Sequence, residues 1–221
     1  MKNSIWVVMP GFNEEKYIKT ILGKTKAITK NIVFVDDGSS DKTYQIACKQ
    51  VKHTLKHKIN LGKGAAMKTG CEYAFSELGA SNVIMMDSDD QHDPKELSLF
   101  FKKIKNGDKL IFGIRKIDKT MPIFKRLANR ALSYLLLILF GRFIPDIPSG
   151  YKAFSKTVYR QISWGASGYE VEAEIAARSA RYKIPFSTVC ISTIYHDMNK
   201  GMSFLDALKL ASPIFSWRLT L

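Results

Sequence analysis

The sequence predicts an α/β protein with a mostly parallel central sheet and helices on both faces, and three observations carry that prediction. Short apolar runs alternate with longer segments of helical spacing through the first half of the chain. Those runs are continuously hydrophobic, as strands covered on both faces require. Polar, acidic or glycine-bearing clusters follow three of them, where sheets of this kind bind ligands, outside the carboxyl ends of the strands.

In chain order, Ile5–Met9 reads as a strand, Glu14–Ala27 as a helix and Ile32–Val35 as the second strand. Asp41–Val51 has helical spacing with Asp41 as its N-cap, and His53–Ile59 is a weaker strand. Gly64–Leu78 is helical, Val83–Met86 is the next strand, and Pro94–Ile104 is a helix with Asp93 as cap and Pro94 in its first turn. Leu110–Gly113 completes the strand series. Beyond Arg115 the pattern changes to a long helix over Ile123–Phe140, a loop at Asp146–Gly150 and a helix near Val171–Arg181. A β-rich stretch near Phe186–Tyr195 and an amphipathic segment, Ser203–Leu219, follow. Without a repeat, low-complexity tract or linker, residues 1–221 are expected to form one domain.

With 221 residues, 46% hydrophobic and 24% charged, the chain is neither disordered nor collagen-like. A chain of this length can bury roughly 70% of its unfolded surface without disulfide staples. Three cysteines, Cys48, Cys71 and Cys190, do not make a disulfide framework and point to a reducing, cytoplasmic setting. Met1-Lys2-Asn3-Ser4 runs through a short apolar stretch into Pro10-Gly11, which is not a secretory signal pattern. The longest apolar run, Leu132 to Phe140, is far short of the ~20 residues that cross a bilayer, so a soluble or peripheral protein is expected.

The formal net charge is +14, a balance that favours an anionic partner. Residues 1–110 hold 18 lysines, no arginine and 13 acidic residues, a net +5. Residues 111–221 hold eight lysines and eight arginines against seven acidic residues, a net +9. Every arginine therefore lies from Arg115 onward. The guanidinium fork matches phosphate geometry, so a phosphate partner is sought in the second half. Zinc-finger spacing and an aromatic RNA-binding signature are both missing, and no nucleic acid is expected.

Asp87-Ser88-Asp89 directly follows a buried run. Two carboxylates at i and i+2 on such a loop can hold Mg2+ or Mn2+, with waters and substrate phosphate oxygens as the other ligands and Gln91 as a neutral one. An acidic turn capping the next helix is the structural alternative, and it suits Asp93. An EF-hand is excluded, because His92 stands at the sixth loop position and Ser98 at the twelfth. Asp36-Asp37-Gly38-Ser39-Ser40-Asp41 reads two ways, as a capping turn or as a loop whose Asp37 accepts hydrogen bonds from a nucleobase or ribose. Asn60-Leu61-Gly62-Lys63-Gly64 lacks both the phosphate-loop spacing and the third glycine of a dinucleotide fingerprint. It is a tight turn, or a loop that brings Lys63 toward a nucleotide.

Taken together, Pro-Gly-Phe-Asn-Glu at 10–14, Val-Asp-Asp-Gly-Ser at 35–39, Asn-Leu-Gly-Lys-Gly at 60–64 and Asp-Ser-Asp-Asp-Gln-His at 87–92 resemble family 2 glycosyltransferases of the GT-A fold. The second half resembles the polyprenol/dolichol-phosphate mannose synthase branch through Gly113-Ile114-Arg115, the Arg126/Asn129/Arg130 helix and Asp146-Ile147-Pro148-Ser149-Gly150-Tyr151. The resemblance implies a nucleotide-sugar-binding half, 1–114, and an acceptor-binding half, 115–221, with helices suited to a membrane surface. Pro10, Phe12, Glu14, Asp37 and the backbone of Val35 would line the base and ribose pocket of a UDP- or GDP-sugar. Asp87, with Ser88, would contact the donor. Asp89 and Gln91 would bind the metal on its diphosphate, with Asp87 alongside. Arg115 would neutralise phosphate near the reacting centre, Arg130 is the second candidate, and Lys200 falls near a late basic position of the family.

The implied activity is an inverting, metal-dependent hexosyl transfer from a nucleotide-sugar to a polyprenyl-phosphate lipid, at the cytoplasmic face of a membrane and in cell-envelope biogenesis. A membrane-protein partner or a homo-oligomer is compatible with this reading. A saccharide hydroxyl acceptor on a cell-surface glycan would need a carboxylate base, for which the second half offers Asp146, Glu170, Glu172 and Glu174. The Glu-Asp pair and the Gln-x-x-Arg-Trp motif of polysaccharide-making relatives are missing, which favours a phosphate acceptor. A noncatalytic nucleotide-sugar or nucleic-acid binding module is the third reading.

Overall fold

A computed structural model describes residues 4–116, 123–192 and 213–220. Seven strands form one sheet in the order β3-β2-β1-β4-β6-β5-β7. They are β1 (Ile5–Gly11), β2 (Ile32–Asp36), β3 (His53–Lys56), β4 (Asn82–Met85), β5 (Leu110–Arg115), β6 (Lys152–Ser155) and β7 (Ser187–Ile191). All pairings are parallel except those of β6, which runs antiparallel to both β4 and β5. Six strands thus end, and β6 begins, at one edge. Lys152 opens β6 there, in register with Met85 and Phe112.

Successive side chains point to opposite faces of a strand, so each apolar run feeds two cores. Val8, Val33, Val35, Val83, Met85 and Phe112 face α3 (Lys63–Ser76), α5 (Ile123–Phe140), α6 (Lys156–Ile162) and α7 (Val171–Arg181). Val7, Met9, Phe34, Ile84 and Ile111 face α1 (Glu15–Lys26), α2 (Thr43–Gln50) and α4 (Leu97–Lys105). Complete burial of each such side chain contributes about 1.5–3 kcal/mol of transfer free energy, the force that keeps the strand ends in place. The α/β expectation with helices on both faces is met.

The structure departs from the sequence reading at several elements. β5 continues two residues past Gly113, so Arg115 is its last strand residue. β6 and α6 were not anticipated, because Lys152 and Ser155 break the apolar run Ala153-Phe154 and hide a four-residue strand. Asp41 is not the N-cap residue of α2, which is Lys42, yet its carboxylate still accepts from the Thr43 amide at 2.9 Å. β3 stops at Lys56. Pro94–Glu96 forms a 3-10 turn ahead of α4, with Asp93 accepting from the Lys95 amide as expected. Residues 213–220 are helical, and the rest of the Ser203–Leu219 segment lies outside the described residues. No described helix is long and apolar enough to cross a membrane.

Candidate active site

The loops after β1, β2 and β4 converge because the three strands are neighbours that end together. Pro10 accepts a hydrogen bond from the buried Ser88 hydroxyl at 2.7 Å, which ties the first loop to the Asp-Ser-Asp turn. Asn13 adopts φ 55°, and its amide donates to Ser39 Oγ at 2.9 Å. Its side-chain oxygen accepts from the Ser40 amide at 2.9 Å, and the Glu14 amide donates to Thr43 Oγ1 at 2.8 Å. Phe12 stands exposed at this rim. Val35 is enclosed within the sheet between Pro10 and Leu55, and Asp36, paired with Gly11 and Lys56, is the last residue of β2, so the open edge begins at Asp37.

Asp37 is almost fully buried and accepts three hydrogen bonds. His57 Nδ1 lies 2.7 Å from Oδ1, the Leu61 amide donates to the same oxygen at 3.0 Å, and the Gly62 amide donates to Oδ2 at 2.8 Å. A carboxylate offers about four acceptor positions, so Asp37 first fixes the 60–62 loop and keeps about one position for a ligand. That loop turns at Gly62, whose φ of 98° and 2.4 Å approach of the Ser167 carbonyl to an added Cβ both demand glycine.

Lys63 opens α3 and is enclosed between two carboxylates. Its Nζ lies 2.7 Å from Asp87 Oδ1 and 2.7 Å from Glu172 Oε1. Burial alone would lower its pKa, but Asp87 and Glu172 reverse the effect and raise it, so the amine stays charged. Burial works to raise Asp87, and Lys63 and then His92 outweigh it, holding that carboxyl below its ordinary value. Asp89 is pushed up by its own burial and then by the charge of Asp87. Gly150 packs directly on Asp87, where a Cβ would come within 2.3 Å of Oδ2.

His92, Asp146 and Lys152 complete the edge, and their arrangement was not legible in the motifs. His92 is buried, with Nδ1 3.3 Å from the Asp87 amide that donates to it and its ring 5.0 Å from that of Tyr151. Burial lowers its pKa against the pull of Asp87 and Asp89, which suits a neutral ring accepting at Nδ1. Lys152 Nζ is wholly buried and donates to the carbonyls of Ile147 and Ser149, bracing the Pro148-Ser149-Gly150 turn against Asp87. Burial lowers its pKa to about 8, with Glu172 partly opposing. A lysine between the apolar Tyr151 and Ala153-Phe154 was the only available signal.

Arg115 reaches the edge as expected, but as half of a bidentate pair. Its Nε lies 2.8 Å from Asp146 Oδ2 and its Nη2 2.7 Å from Oδ1, while its amide donates to Oδ2 at 2.9 Å. Asn129 Nδ2 on α5 donates to the same carboxylate at 3.0 Å. Arg130 does not join them. It is exposed, with its guanidinium 5.8 Å from the Tyr134 ring. Gln91 stays beside Asp89, to which its amide donates at 3.1 Å. Lys200 lies outside the described residues.

Among the described residues no three His, Cys, Asp or Glu side chains are grouped to hold a metal by themselves. Two mutually repelling carboxylates, one already engaged by an amine, fit a hard divalent cation that takes most of its ligands from a bound diphosphate and water.

Residues 6–163 match the family model for Glycosyl transferase family 2. The chain belongs to that family. It is 32% identical over 234 residues to a UDP-N-acetylglucosamine–dolichyl-phosphate N-acetylglucosaminyltransferase of Methanococcus voltae, covering 93% of this chain and 92% of the relative. An uncharacterized protein of Methanocaldococcus jannaschii is 35% identical over 219 residues, covering 95% and 90%. The polyprenol monophosphomannose synthase of Mycolicibacterium smegmatis is 25% identical over 224 residues, covering 95% and 83%. The crystal structure of glucosyl-3-phosphoglycerate synthase from Mycobacterium tuberculosis with UDP superposes with a TM-score of 0.75 at 20% identity, covering 98% of this chain and 80% of that one, and shows the shared GT-A fold. This family 2 glycosyltransferase has dolichyl- and polyprenyl-phosphate sugar transferases among its relatives.

Proposed function

We propose that the enzyme is an inverting glycosyltransferase that moves a sugar from a nucleoside-diphosphate sugar to a polyprenyl phosphate at a membrane surface. One observation supports the acceptor class above the others. Among the described residues, the four second-half carboxylates that could act as a base for a hydroxyl acceptor each have a structural partner. Asp146 holds Arg115, Glu170 accepts from the Gly168 amide, and Glu172 holds Lys63. Glu174 accepts from the amides of Gly165 and Ala166 and from Arg178. A phosphate monoester needs no such base, because its second pKa is about 6 and its oxygen is ionised near neutral pH.

The donor would lie across the β1, β2 and β4 loops, with its base near Phe12 and Asp37. Its diphosphate would lie beside Asp87 and Asp89, where Asp89 and Gln91 would hold Mg2+ or Mn2+. A bound divalent cation supplies Lewis-acid stabilisation of the negative charge that builds on the leaving diphosphate. Lys63 keeps Asp87 oriented and adds positive potential to the same place. Arg115, set by Asp146, would neutralise acceptor phosphate at the reacting edge. In-line attack by the ionised acceptor oxygen forms the new bond to the anomeric carbon as the bond to the diphosphate breaks, which inverts that centre. Neutral His92 and the Phe100–Tyr151 stack, 4.5 Å between rings, wall the floor from water.

The test is a screen of radiolabelled UDP- and GDP-sugars with short-chain polyprenyl phosphate in detergent, with and without metal. Metal-dependent label in the lipid is the expected result. Nucleotide-sugar binding without any turnover would leave the binding-module reading, and label in added oligosaccharide alone would replace the lipid acceptor.

A further inference from the structure

The segment after β4 carries four aspartates, Asp87, Asp89, Asp90 and Asp93, and Asp90 is the one without a role so far. Its backbone takes φ 58°, in the left-handed region that penalises any residue with a Cβ. Its carboxylate is nearly buried and is engaged by Lys24, whose Nζ lies 3.0 Å from Oδ1 across 66 residues of chain. Lys24 sits in the last turn of α1, a helix fixed in the core by Ile18, Ile21, Leu22 and Thr25. α1 also packs beside the Pro94–Glu96 turn, so it is a firm post next to the acidic loop.

Asp90 lies inside a ring. The Gln91 amide donates to Asp89 Oδ1 at 3.1 Å, and the covalent path between that oxygen and that amide runs through the backbone of Asp90. This is an Asx turn, in which the φ of the middle residue sets where the amide stands relative to the carboxylate. Returning φ of Asp90 to the negative region would swing the amide away from Oδ1 and release the Asp89 side chain. The neighbouring residues are tied elsewhere, Ser88 to the Pro10 carbonyl and Asp87 to Lys63 and His92. Lys24 supplies the corresponding tie for residues 89–91.

We propose that Lys24 and Asp90 are positioning residues for the donor-side metal, an ion pair that holds Asp90 in its left-handed conformation and through it aims Asp89 and Gln91. The proposal rests on the reading of Asp89 and Gln91 as the residues that hold Mg2+ or Mn2+. An ion pair whose lysine is half exposed contributes modestly, a factor of up to about 5 in an equilibrium constant. What separates this pair from an ordinary surface contact is its acid. Without the amine, a nearly buried carboxylate beside those of Asp87 and Asp89 favours a conformation that turns it out to water, and the strained φ has less to hold it. The effect would fall on the metal and not on the base pocket, because Asp37 is fixed separately by His57 and the amides of Leu61 and Gly62.

The experiment is calorimetric titration of the full chain with UDP and with GDP, each with and without Mn2+. Its readout is the gain in nucleotide affinity that the metal confers. Lys24→Met keeps the aliphatic stem and removes the amine, so it should cut that gain about 3- to 5-fold. Metal-free affinity and melting temperature should stay close to wild type. Lys24→Arg should keep the gain within about 2-fold, since a guanidinium restores the ion pair. Asp90→Ala loses the carboxylate but keeps the Cβ that disfavours positive φ. It should lose at least as much as Lys24→Met, and combining the two should cost nothing further. Asp89→Asn checks the underlying reading and should abolish the gain. An unchanged gain in Lys24→Met, with the gain lost in Asp89→Asn, would overturn the pair's role and leave the metal assignment standing. An equal fall with and without Mn2+ would overturn it too, since the pair would then brace the whole donor edge. No gain in the wild type, or an unchanged gain in Asp89→Asn, would overturn the metal assignment and the pair's role with it.

Discussion

The two sides of the reacting edge are built by different means. On the side of β1, β2 and β4 the groups proposed for the donor lie on short loops whose backbones are laced to one another, Ser88 to Pro10, Asn13 to Ser39, and Asp37 to the amides of Leu61 and Gly62. On the side of β5 and β6 the basic groups are held by partners inside the protein, Arg115 by Asp146, which Asn129 also engages, and Lys152 by the carbonyls of Ile147 and Ser149. Lys63 joins the two through Asp87 and Glu172. The donor side is thus a set of loop ends held ready for a ligand that brings its own charge. The proposed acceptor side holds its basic groups in internal contacts, so their orientation matters more than their net charge.

That contrast can be broken most severely at Asp89. Asp89→Asn should lower metal-dependent turnover by at least about 10²-fold while leaving the melting temperature close to wild type, since the carboxylate has only the Gln91 amide as a described partner. Because burial and Asp87 raise its pKa, metal-dependent activity should also fall on the acid side at a higher pH than an ordinary aspartate would give. Retained turnover in the asparagine variant would remove Asp89 from the donor machinery.

Arg115→Lys comes next, and it separates orientation from charge. The ammonium cannot reproduce the two-point contact with Asp146. Stability should drop by about 2 kcal/mol in urea titration. The KM for lipid phosphate should rise more than the KM for nucleotide-sugar. Equal rises in both would mean that Arg115 is only a brace. Glu172→Gln should act across the divide with a smaller effect, raising donor KM about 10-fold through a Lys63 that has lost one of its two anionic partners. Isothermal titration with the nucleoside diphosphate reads the same change without acceptor, and an unaltered Kd there would confine Glu172 to folding.

The smallest effect concerns Lys152. Burial holds its folded-state pKa near 8, below the ordinary lysine value. Between about 8 and that ordinary range the unfolded chain therefore binds a proton that the folded chain does not, and stability rises with pH through this window. Comparing urea unfolding of wild type and Lys152→Met at pH 7 and pH 10, the wild type should gain on the variant at the higher pH. A constant difference would mean that the buried amine is not destabilised in its charged form.

How much of this was legible in the sequence differs between the same two sides. The strands and loops of the first half could be read because a buried parallel strand leaves an uninterrupted apolar run and the chemistry follows it directly, as at Val83–Met86 and Asp87. The second half hid β6, because Lys152 breaks its pattern and the amine's burial depends on carbonyls of a turn three to five residues away. The pairing of Arg115 with Asp146 spans 31 residues and has no local signature. Glu172 could be recognised as a carboxylate but not as the partner of Lys63, since only the packing of α7 against the α3 start brings them together. The apolar run Leu132–Phe140 was legible as a helix, but it is apolar on both sides, and only the sheet decides that Leu132 and Leu136 meet the core.

The most direct measurement of the central claim is a competition between acceptors in one reaction. The enzyme is given a radiolabelled nucleotide-sugar, metal, and equal concentrations of short-chain polyprenyl phosphate and a free oligosaccharide, and the products are treated with mild acid. Nearly all transferred label should be in the lipid and be released by acid, as from a sugar phosphodiester. Label held stably in the oligosaccharide, with none in the lipid, would contradict it.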